Sequence, residues 1–326
     1  MARIFAYIAH KGGAPDDTAA ELIAAAKKID PAASPTAIAL GWGAELDAVC
    51  ATLRASHPEV WKIAHETFAY PNAELIRKAL VKVLPAGAIV AVPHEHFGID
   101  LAPGLSIKLN AAFVSDVVAI DGVEGSDLKV VRQEFGGQVS THVRCDVSSG
   151  AVVTIRPGAF KPLDSAAANG TVVDKSSEVG VLAAGRRYLE TVIAEAGDVD
   201  ITKYNVLVSI GRGIQEKDNV AIAQELADAL GAAVSCSRPV VDAKWMEKSR
   251  QVGSSGKTVK PKVYMACGIS GSFQHLAGIK GSPFLIAINK NPKAPIFQVA
   301  DVGIVDDILE FLPELTNKVR EMRRVA

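Results

Sequence analysis

The 326-residue sequence lacks three features that would place it in common functional classes. Its four cysteines, Cys50, Cys145, Cys236 and Cys267, form no C-x-x-C pair, which argues against a zinc knuckle, an iron–sulfur cluster or a disulfide scaffold and indicates a reducing compartment. Lysine plus arginine number 35 against 36 for aspartate plus glutamate, so no charge excess favours a nucleic-acid or membrane-surface partner. No apolar run approaches the ~18 residues that span a bilayer.

The N-terminus also lacks the apolar core of a signal peptide. Only I-F-A-Y-I-A follows Arg3 before His10 and Lys11 interrupt the run. We therefore expect a soluble protein that, as given, carries no export signal. Its length predicts about two domains, and a hydrophobic content of 49% is enough for sizeable cores.

Strand and helix patterns alternate through the first part of the chain, which predicts a parallel sheet covered by helices. The predicted strands are Arg3 to His10, Thr36 to Leu40, Val60 to Ala64 and Ala88 to Val92. The predicted helices are Asp16 to Ile29, Glu45 to Ser56, Ala73 to Leu84 and Ile99 to Phe113. Pro103 is expected near the first turn of the last of these helices, where proline is tolerated.

The pattern changes after Asp116. Apolar and polar residues alternate from Asp116 to Gly158, including A-V-V-T-I-R-P-G, which predicts antiparallel strands at the edge of the first sheet. The segment from Lys161 to Asp174 is predicted to be a loop, and Val179 to Ala196 to be helical in part, because Gly180 and Gly185 weaken a helix. Residues 197–203 are predicted to form the linker.

The second part returns to alternating strands and helices. Predicted strands are Asn205 to Ile210, Ala232 to Cys236, Val263 to Ala266, Phe284 to Asn289 and Ile296 to Val299. Predicted helices are Asp218 to Leu230, a short one from Phe273, Ile304 to Leu312, and a tail helix from Pro313. Residues 211–213 and 237–239 are predicted to be loops.

A glycine-rich loop gives the second part its strongest functional signal. In V-Y-M-A-C-G-I-S-G-S-F-Q-H, from Val263 to His275, a buried strand leads through small residues into a helix start. Backbone N–H groups in such a loop can approach an anion closely, and a helix dipole adds partial positive charge, so phosphate or pyrophosphate is a suitable ligand. The loop alone is equally typical of a tight turn followed by a helix cap.

Three other phosphate or catalytic patterns are incomplete. A dinucleotide fingerprint begun by Gly211 and Gly213 needs a third glycine where the chain has Glu216. A P-loop ending in G-K-T lacks its first glycine, since residue 251 is glutamine. The nucleophile elbow G-x-S-x-G fails because Ser272 occupies its last position.

The run H-E-H from His94 to His96 could suggest a metal site. Two histidines at that spacing, with no cysteine or other ligand cluster nearby, are more often ordinary loop residues. We therefore predict no metal ion.

Several motifs in register give a more specific indication than any single loop. They are S-R-P-V-V-D-A from Ser237, Q-V-G-S-S-G-K from Gln251, the glycine loop, A-I-N-K-N-P-K-A-P-I-F-Q-V-A-D from Ala287 and G-I-V-D-D-I from Gly303. In order and spacing they resemble the FAD-binding domain of the electron transfer flavoprotein alpha subunit. The resemblance covers Asn205 to about Val319, and the weaker pattern of Met1 to Asp200 is similar to the family's N-terminal domain.

The resemblance implies a two-domain α/β fold. Residues 1–200 would form an N-terminal parallel-sheet domain with added antiparallel strands, which supplies a platform for the family's beta subunit. Residues 201–326 would form a doubly wound, Rossmann-like domain that binds FAD. The implied cofactor contacts are Arg212, Ser237, Arg238, Val252, Gly253, Ser254, Ser255, Ser270, Gly271, Ser272, Phe273, Gln274, His275, Asn289, Asp307 and Ile308.

The residue types suit the chemistry that the resemblance implies. The hydroxyl of Ser255 would bond flavin N5, while Arg238 and His275 would place positive charge or hydrogen-bond donors beside the flavin ring. Gly271 and Ser272 would serve the pyrophosphate. A second pair, Asn289 and Asp307, would hold the adenosine half.

Some positions near the ring depart from the family pattern. Serine replaces the usual threonine at 255, Phe273 replaces an aliphatic residue, and Lys244-Trp245 stands where glycine and an aromatic residue are common. These departures leave FAD binding intact as an expectation but leave the redox potential and the electron donor open.

The implied function is electron carriage rather than catalysis. The chain would pair with a beta subunit, take electrons from a flavin dehydrogenase, such as an acyl-CoA dehydrogenase of fatty acid beta-oxidation, and deliver them to a quinone reductase or similar acceptor. The alternatives are the alpha subunit of an NADH-oxidising, electron-bifurcating complex and a structural subunit that has lost its cofactor. The expected location is the cytoplasm of a prokaryote, or the mitochondrial matrix for a processed eukaryotic chain.

Overall fold

The computed structural model describes residues 3–163, 169–186, 188–190, 199–281 and 283–325. The chain divides into two compact units, Met1–Glu190 and Thr191–Ala326. Within the described ranges, no helix is both long enough and apolar enough to cross a membrane.

The first unit contains the larger of the two main sheets. Its strands are β1 (Ile4–Tyr7), β2 (His10–Lys11), β3 (Ala14–Pro15), β4 (Thr36–Gly41), β5 (Glu59–Ala64), β6 (Ile89–Pro93), β7 (Ala112–Glu124), β8 (Asp127–Glu134), β9 (Val139–Asp146), β10 (Ala151–Ile155) and β11 (Thr171–Asp174). Its helices are α1 (Thr18–Ile29), α2 (Gly43–Leu53), α3 (Ala73–Val83), α4 (His96–Leu109) and α5 (Ser176–Val179).

In the described part of this unit, nine strands pair in the order β11-β5-β4-β1-β6-β10-β7-β8-β9. The pairs from β11 to β7 are parallel. The β7-β8 and β8-β9 pairs are antiparallel. A separate hairpin joins β2 and β3. The predicted fold class, a parallel sheet with added antiparallel strands, is therefore confirmed for this unit.

The prediction that A-V-V-T-I belongs to the antiparallel edge is wrong. This segment is β10, which lies between β6 and β7 and runs parallel to both. All five of its residues are buried. A strand that is covered on both faces needs a continuous apolar run rather than an alternating pattern, and A-V-V-T-I provides one.

Two predictions for the end of this unit are also wrong. The predicted loop from Lys161 to Asp174 ends in strand β11, which pairs in parallel with β5. The helix predicted from Val179 instead ends there, because Gly180 follows at φ +58°, a conformation that stops an α-helix. Residues 164–168, 187 and 191–196 of these predictions, and residues 197–198 of the predicted linker, lie outside the described residues.

The fourth helix is displaced from its prediction. It runs from His96 to Leu109 and ends where Asn110 adopts the left-handed conformation at φ +51°. Phe113 therefore belongs to β7 and not to the helix. Because the helix begins earlier than predicted, Pro103 lies inside it.

The second unit contains a smaller sheet. Its strands are β12 (Val206–Ile210), β13 (Ala233–Cys236), β14 (Val263–Cys267), β15 (Phe284–Ile288) and β16 (Val302–Ile304). Its helices are α6 (Val220–Leu230), α7 (Arg238–Asp242), α8 (Phe273–Leu276) and α9 (Ile308–Val325). In the part predicted as linker, Ile201–Lys203 forms a 3-10 turn whose Ile201 is buried.

The sheet order β13-β12-β14-β15-β16 is parallel throughout. The chain moves from β12 to one side and then crosses to β14 on the other, which is a doubly wound arrangement with its switch point between β12 and β14. Buried residues form one cluster around Val208 and Ile288 and another around Leu207 and Tyr264. The predicted doubly wound fold is therefore confirmed.

Two prolines account for two errors in this unit. The predicted strand Ile296 to Val299 is a 3-10 turn, Pro295–Gln298, which begins at a proline that fits the first helical position. The last strand is β16 instead. The predicted break at Pro313 is absent, because α9 continues through it as one helix.

A buried central position of β10 predicts a large stability effect. Val152→Ala removes two methylene equivalents from a side chain that is 0% exposed, so we expect the free energy of unfolding to fall by ~2 kcal/mol. Val139→Ala in β9, where the side chain is 44% exposed, should change it by less than ~0.5 kcal/mol. Urea denaturation of both variants checks this, and equal effects would contradict the central placement of β10.

Candidate functional site

The candidate site lies where the parallel strands of the second unit reach their carboxyl ends. Ligands of doubly wound sheets bind at this edge, at the switch point. Here the switch point lies between Ile210, the last residue of β12, and Cys267, the last residue of β14. The loops that follow these strands therefore form the centre of the site.

Backbone contact between two glycine loops forms the floor of this edge. The N–H of Gly211 donates to the Cys267 carbonyl at 2.9 Å, and that of Gly213 to the Gly268 carbonyl at 3.2 Å. A Cβ atom on Gly211 would lie 2.2 Å from the Gly268 oxygen. Gly268 itself adopts φ +65°, so the contact requires glycine on both sides.

The loop after β14 extends this floor toward a short helix. Gly271 has φ +84°, and a Cβ there would lie 2.5 Å from the backbone nitrogen of Ile296. Ile296 N–H donates to the Ser270 carbonyl at 3.0 Å, which ties the loop to the 3-10 turn of residues 295–298. The predicted helix start at Phe273 is present, but α8 has only four residues. Its macrodipole is therefore small, and an anion would depend on the loop backbone.

The segment Val252 to Ser255 lies against α8. Val252 N–H donates to the Cys236 carbonyl at 2.9 Å, and Ser254 N–H to the Gln274 carbonyl at 2.7 Å. The amide of Gln251 donates to Ser255 Oγ at 2.8 Å. These bonds bring the predicted ring-end segment beside the residues that follow the glycine loop.

Ser237 and Arg238 do not form the loop that was predicted. Ser237 occupies the N-cap position of α7 without a side-chain capping bond, and Arg238 is the first helical residue, with Pro239 next in a position that suits proline. The Arg238 side chain is 68% exposed and its Nε lies 3.3 Å from an Asp242 carboxylate oxygen, one helical turn on. The predicted loop is therefore wrong at Arg238 and Pro239, which are helical, but the guanidinium reaches solvent beside the carboxyl end of β13.

His275 faces inward. It is 5% exposed, and its Nε2 lies 2.8 Å from the Tyr264 hydroxyl. Its Nδ1 is buried and has no hydrogen-bond partner of good geometry among the described residues. Burial lowers the pKa of the ring, and an interaction with the Val252 backbone raises it by a smaller amount, so that the pKa of His275 is about 4. The ring is therefore neutral at pH 7, and of the two predicted functions it can serve as a hydrogen-bonding group but not as a positive charge.

The remaining predicted residues follow β15 and β16. The Asn289 amide donates to the Ile269 carbonyl at 3.0 Å. Asp307 accepts from the Leu309 N–H at 3.0 Å and pairs with Lys290 at 2.6 Å, and these contacts lower the pKa of its carboxyl group. Ile308 is 2% exposed, and its side chain packs beside Gly268, where a Cβ would lie 3.0 Å from Ile308 Cδ1.

All sixteen predicted contacts thus lie in segments that adjoin carboxyl ends of the five strands. Eight of these residues are exposed: Arg212, Arg238, Ser254, Ser255, Ser270, Ser272, Phe273 and Gln274. Six are buried: Ser237, Val252, Gly253, Gly271, His275 and Ile308. Asn289 and Asp307 are intermediate.

Sequence reasoning missed the residues behind the site. Gly213 and Gly268 were not among the predicted contacts because glycine has no side chain, but the G-R-G spacing after a strand could have signalled a close backbone contact. Tyr264 and Ser209 lie in buried strands and bond each other at 2.7 Å. Their only sequence signal is a polar residue inside an apolar strand.

These residues fit the FAD that the sequence resemblance implies. Close glycine contacts leave room for a pyrophosphate against the backbone, as a dinucleotide requires. Nδ1 of His275, which has no well-aligned partner among the residues that the structure describes, and the exposed Ser254, Ser270 and Ser272 are polar groups available to the same ligand.

The H-E-H run of the first unit makes ordinary polar contacts. His94 Nδ1 lies 2.9 Å from Thr154 Oγ1 and its Nε2 lies 3.8 Å from Asp116. Asp116 in turn forms two bonds with Arg156, at 2.8 and 2.6 Å. Across the described ranges, no group of three or more His, Cys, Asp or Glu side chains is placed to hold a metal ion.

Comparison with known proteins identifies both units. Residues 4–179 match the family model of the electron transfer flavoprotein domain, and residues 200–280 match that of the electron transfer flavoprotein FAD-binding domain. The chain is 33% identical to an electron transfer flavoprotein subunit alpha of Methylophilus methylotrophus over 97% of this chain and 98% of that protein.

Two further relatives are similar over most of their length. One is an electron transfer flavoprotein subunit alpha of Thermoanaerobacterium thermosaccharolyticum, 36% identical over 79% of this chain and 77% of that protein. The other is Protein FixB of Clostridium saccharobutylicum, 39% identical over 72% of this chain and 70% of that protein.

The glycine loop predicts a pair of contrasting variants. Gly271→Ala adds a Cβ against Ile296 at a positive φ, so we expect a loss of ~2 kcal/mol or more in the free energy of unfolding and at least tenfold weaker FAD binding. Gly281→Ala also has positive φ but only a 3.6 Å neighbour, so it should cost ~1 kcal/mol and leave FAD affinity unchanged. Denaturation and fluorescence titration measure both, and equal FAD affinities would refute the loop assignment.

The buried histidine predicts a pH dependence of stability. The unfolded ring binds a proton near pH 6.5 and the folded ring only near pH 4, so the unfolded state binds more protons between these values. Stability therefore falls as pH falls through this window, by up to ~3 kcal/mol from this group. His275→Gln should remove that part of the slope, as measured by urea denaturation from pH 7 to 4. Identical slopes for both proteins would contradict the burial of a neutral ring.

Proposed function

The chain belongs to the electron transfer flavoprotein alpha-subunit family, and from this premise we propose that it carries electrons on an FAD held at the carboxyl ends of β12 to β16. The family's FAD-binding domain makes FAD the cofactor. The single observation that carries the position is the glycine contact at the switch point, where Gly211, Gly213 and Gly268 bring two loop backbones together.

The proposal divides the site between the two ends of the cofactor. Gly271 and Ser272 bind the pyrophosphate, while Asn289 and Asp307 bind the adenosine half. Support comes from their place in the fold, since these residues follow β14, β15 and β16 in neighbouring order. The pairing with Lys290 lowers the pKa of Asp307, whose ionised carboxylate accepts hydrogen bonds from hydroxyl groups.

The flavin ring is assigned to the other side of the switch point. Ser255, Arg238 and His275 lie in or beside segments that adjoin β13 and α8. When bound, FAD supplies the redox chemistry, and these side chains orient it and set the local charge. Ser255 Oγ already accepts from Gln251, which leaves its own O–H as a donor toward the ring.

We further propose that residues 1–200 form the platform for a beta subunit. The first unit exposes large apolar side chains, including Ile107 at 77%, Phe135 at 76%, Val181 at 91% and Leu189 at 76%. Where such side chains adjoin, they form the kind of apolar patch that a partner protein covers. The donor is a flavin dehydrogenase and the acceptor a quinone reductase or a similar flavoprotein.

Counting cofactors in the purified complex tests this proposal. The chain is coexpressed with a beta subunit from the same genome, and FAD and AMP are quantified per heterodimer. We expect one FAD, one AMP and no oxidation of NADH. Two FAD molecules with NADH oxidation would support the bifurcating alternative instead, and a complex without flavin would contradict any carrier function.

Arg238 predicts a change in redox potential. A permanent cation beside the ring stabilises the negative charge that reduction adds, and Coulomb's law at 4 Å gives about 1 kcal/mol even at the dielectric constant of water. Arg238→Ala should therefore lower the flavin potential while FAD stays bound. Asp242→Ala, which removes the carboxylate paired with Arg238, should not lower it. Potentiometric titration of both variants checks this, and an unchanged potential in Arg238→Ala would place the guanidinium away from the flavin.

A further inference from the structure

Three polar side chains form a buried hydrogen-bond network behind the site. The Tyr264 hydroxyl on β14 lies 2.7 Å from Ser209 Oγ on β12 and 2.8 Å from His275 Nε2 on α8. Tyr264 and Ser209 are 0% exposed and His275 is 5% exposed. This hydrogen-bond network therefore links the candidate site to the middle of the sheet without reaching solvent.

This arrangement costs stability that an apolar core would not. Tyr264 belongs to a cluster of apolar residues that includes Leu207, Val252 and Ile269. A phenylalanine would fill the same space without the desolvation of a hydroxyl group. The hydroxyl thus needs an explanation other than packing.

The chemistry of the three groups supplies one. A phenol has one proton to donate and an oxygen that accepts, and burial raises the pKa of Tyr264 so that it stays protonated. The hydrogen bond at one nitrogen of a neutral imidazole determines whether the other nitrogen carries the proton. The contact at Nε2 therefore decides whether Nδ1 of His275, which has no well-aligned hydrogen-bond partner in the described part of the chain, is a donor or an acceptor.

We propose that Tyr264 is a positioning residue that holds His275 by Nε2, fixes a single tautomer of its ring and so presents Nδ1 to the bound FAD in one hydrogen-bonding state. Ser209 completes the arrangement by binding the other side of the phenol. The inference rests on the proposed function, because it takes His275 to be part of the FAD site.

The test follows the ring nitrogens of His275 directly. The full chain is coexpressed with its beta subunit with ¹⁵N in the histidine rings, and His275→Gln assigns the signal. We expect the wild-type complex to show one His275 tautomer and Tyr264→Phe to show a mixture of two. Thr316→Val is the matched control, because it removes a hydroxyl of the same unit from a residue that is 2% exposed, and that hydroxyl donates to the Leu312 carbonyl in α9.

FAD affinity provides a second measurement. Loss of one hydrogen bond in the network should weaken FAD binding roughly threefold to tenfold in Tyr264→Phe, and Thr316→Val should leave FAD binding unchanged. In a His275→Gln background the same change should have less than about a twofold effect, since the phenol would act only through His275. Equal effects in both backgrounds would overturn the inference.

The outcomes separate the inference from its premise. If FAD shifts the His275 signals of the wild type but Tyr264→Phe keeps one tautomer, Tyr264 does not position the ring and the inference fails alone. If FAD binds without moving those signals, His275 is outside the site and the residue assignment fails. Should Tyr264→Phe not fold, Ser209→Ala replaces it. Without the Ser209 oxygen that accepts its proton, the phenol is released to donate to Nε2. A shift of the His275 ring toward the Nδ1-protonated tautomer therefore supports the inference, and unchanged tautomer populations overturn it.

Discussion

The second unit depends on one close contact between backbones. Where β12 and β14 end, the loops that contain Gly211, Gly213 and Gly268 approach more closely than any side chain would permit. The side chain of Ile308 packs on the same point, since a Cβ on Gly268 would lie 3.0 Å from its Cδ1. The contact therefore fixes the start of α9 as well as the floor of the crevice, and a bulkier residue there would separate elements that the site requires together.

Local patterns made most of this fold predictable. The alternation of strands and helices is recorded in apolar periodicity, so the strands β1, β4, β5 and β6 and the helices between them followed from the sequence pattern. The doubly wound fold of the second unit followed from the family resemblance. The position of β10 did not, because pairing with distant strands has no local signal and a fully buried run resembles other apolar runs. Pro295 and Pro313 misled for a related reason, since a proline can begin, interrupt or be tolerated within a helix according to its surroundings.

The candidate site shows the same limit at the level of single side chains. Motif resemblance selected residues that the topology gathers at one edge, yet it could not give their environments. Arg238 is an exposed helical residue with a carboxylate partner, while His275 is a buried neutral ring held by Tyr264. Arg238 thus places a positive charge at the candidate site, while His275 is a neutral hydrogen-bonding group in a fixed position. The difference between the two roles depends on burial and not on residue type.

Hydrogen exchange of the full complex with and without FAD tests the central claim that the second sheet holds the cofactor. FAD should protect backbone amides at 211–213, 252–256 and 268–275, because these loops form the crevice at the switch point. The carboxyl ends of the first sheet, at 41–43, 65–66 and 94–96, should show no change. Protection confined to those first-sheet loops, with none at 211–213 or 268–275, would contradict the account.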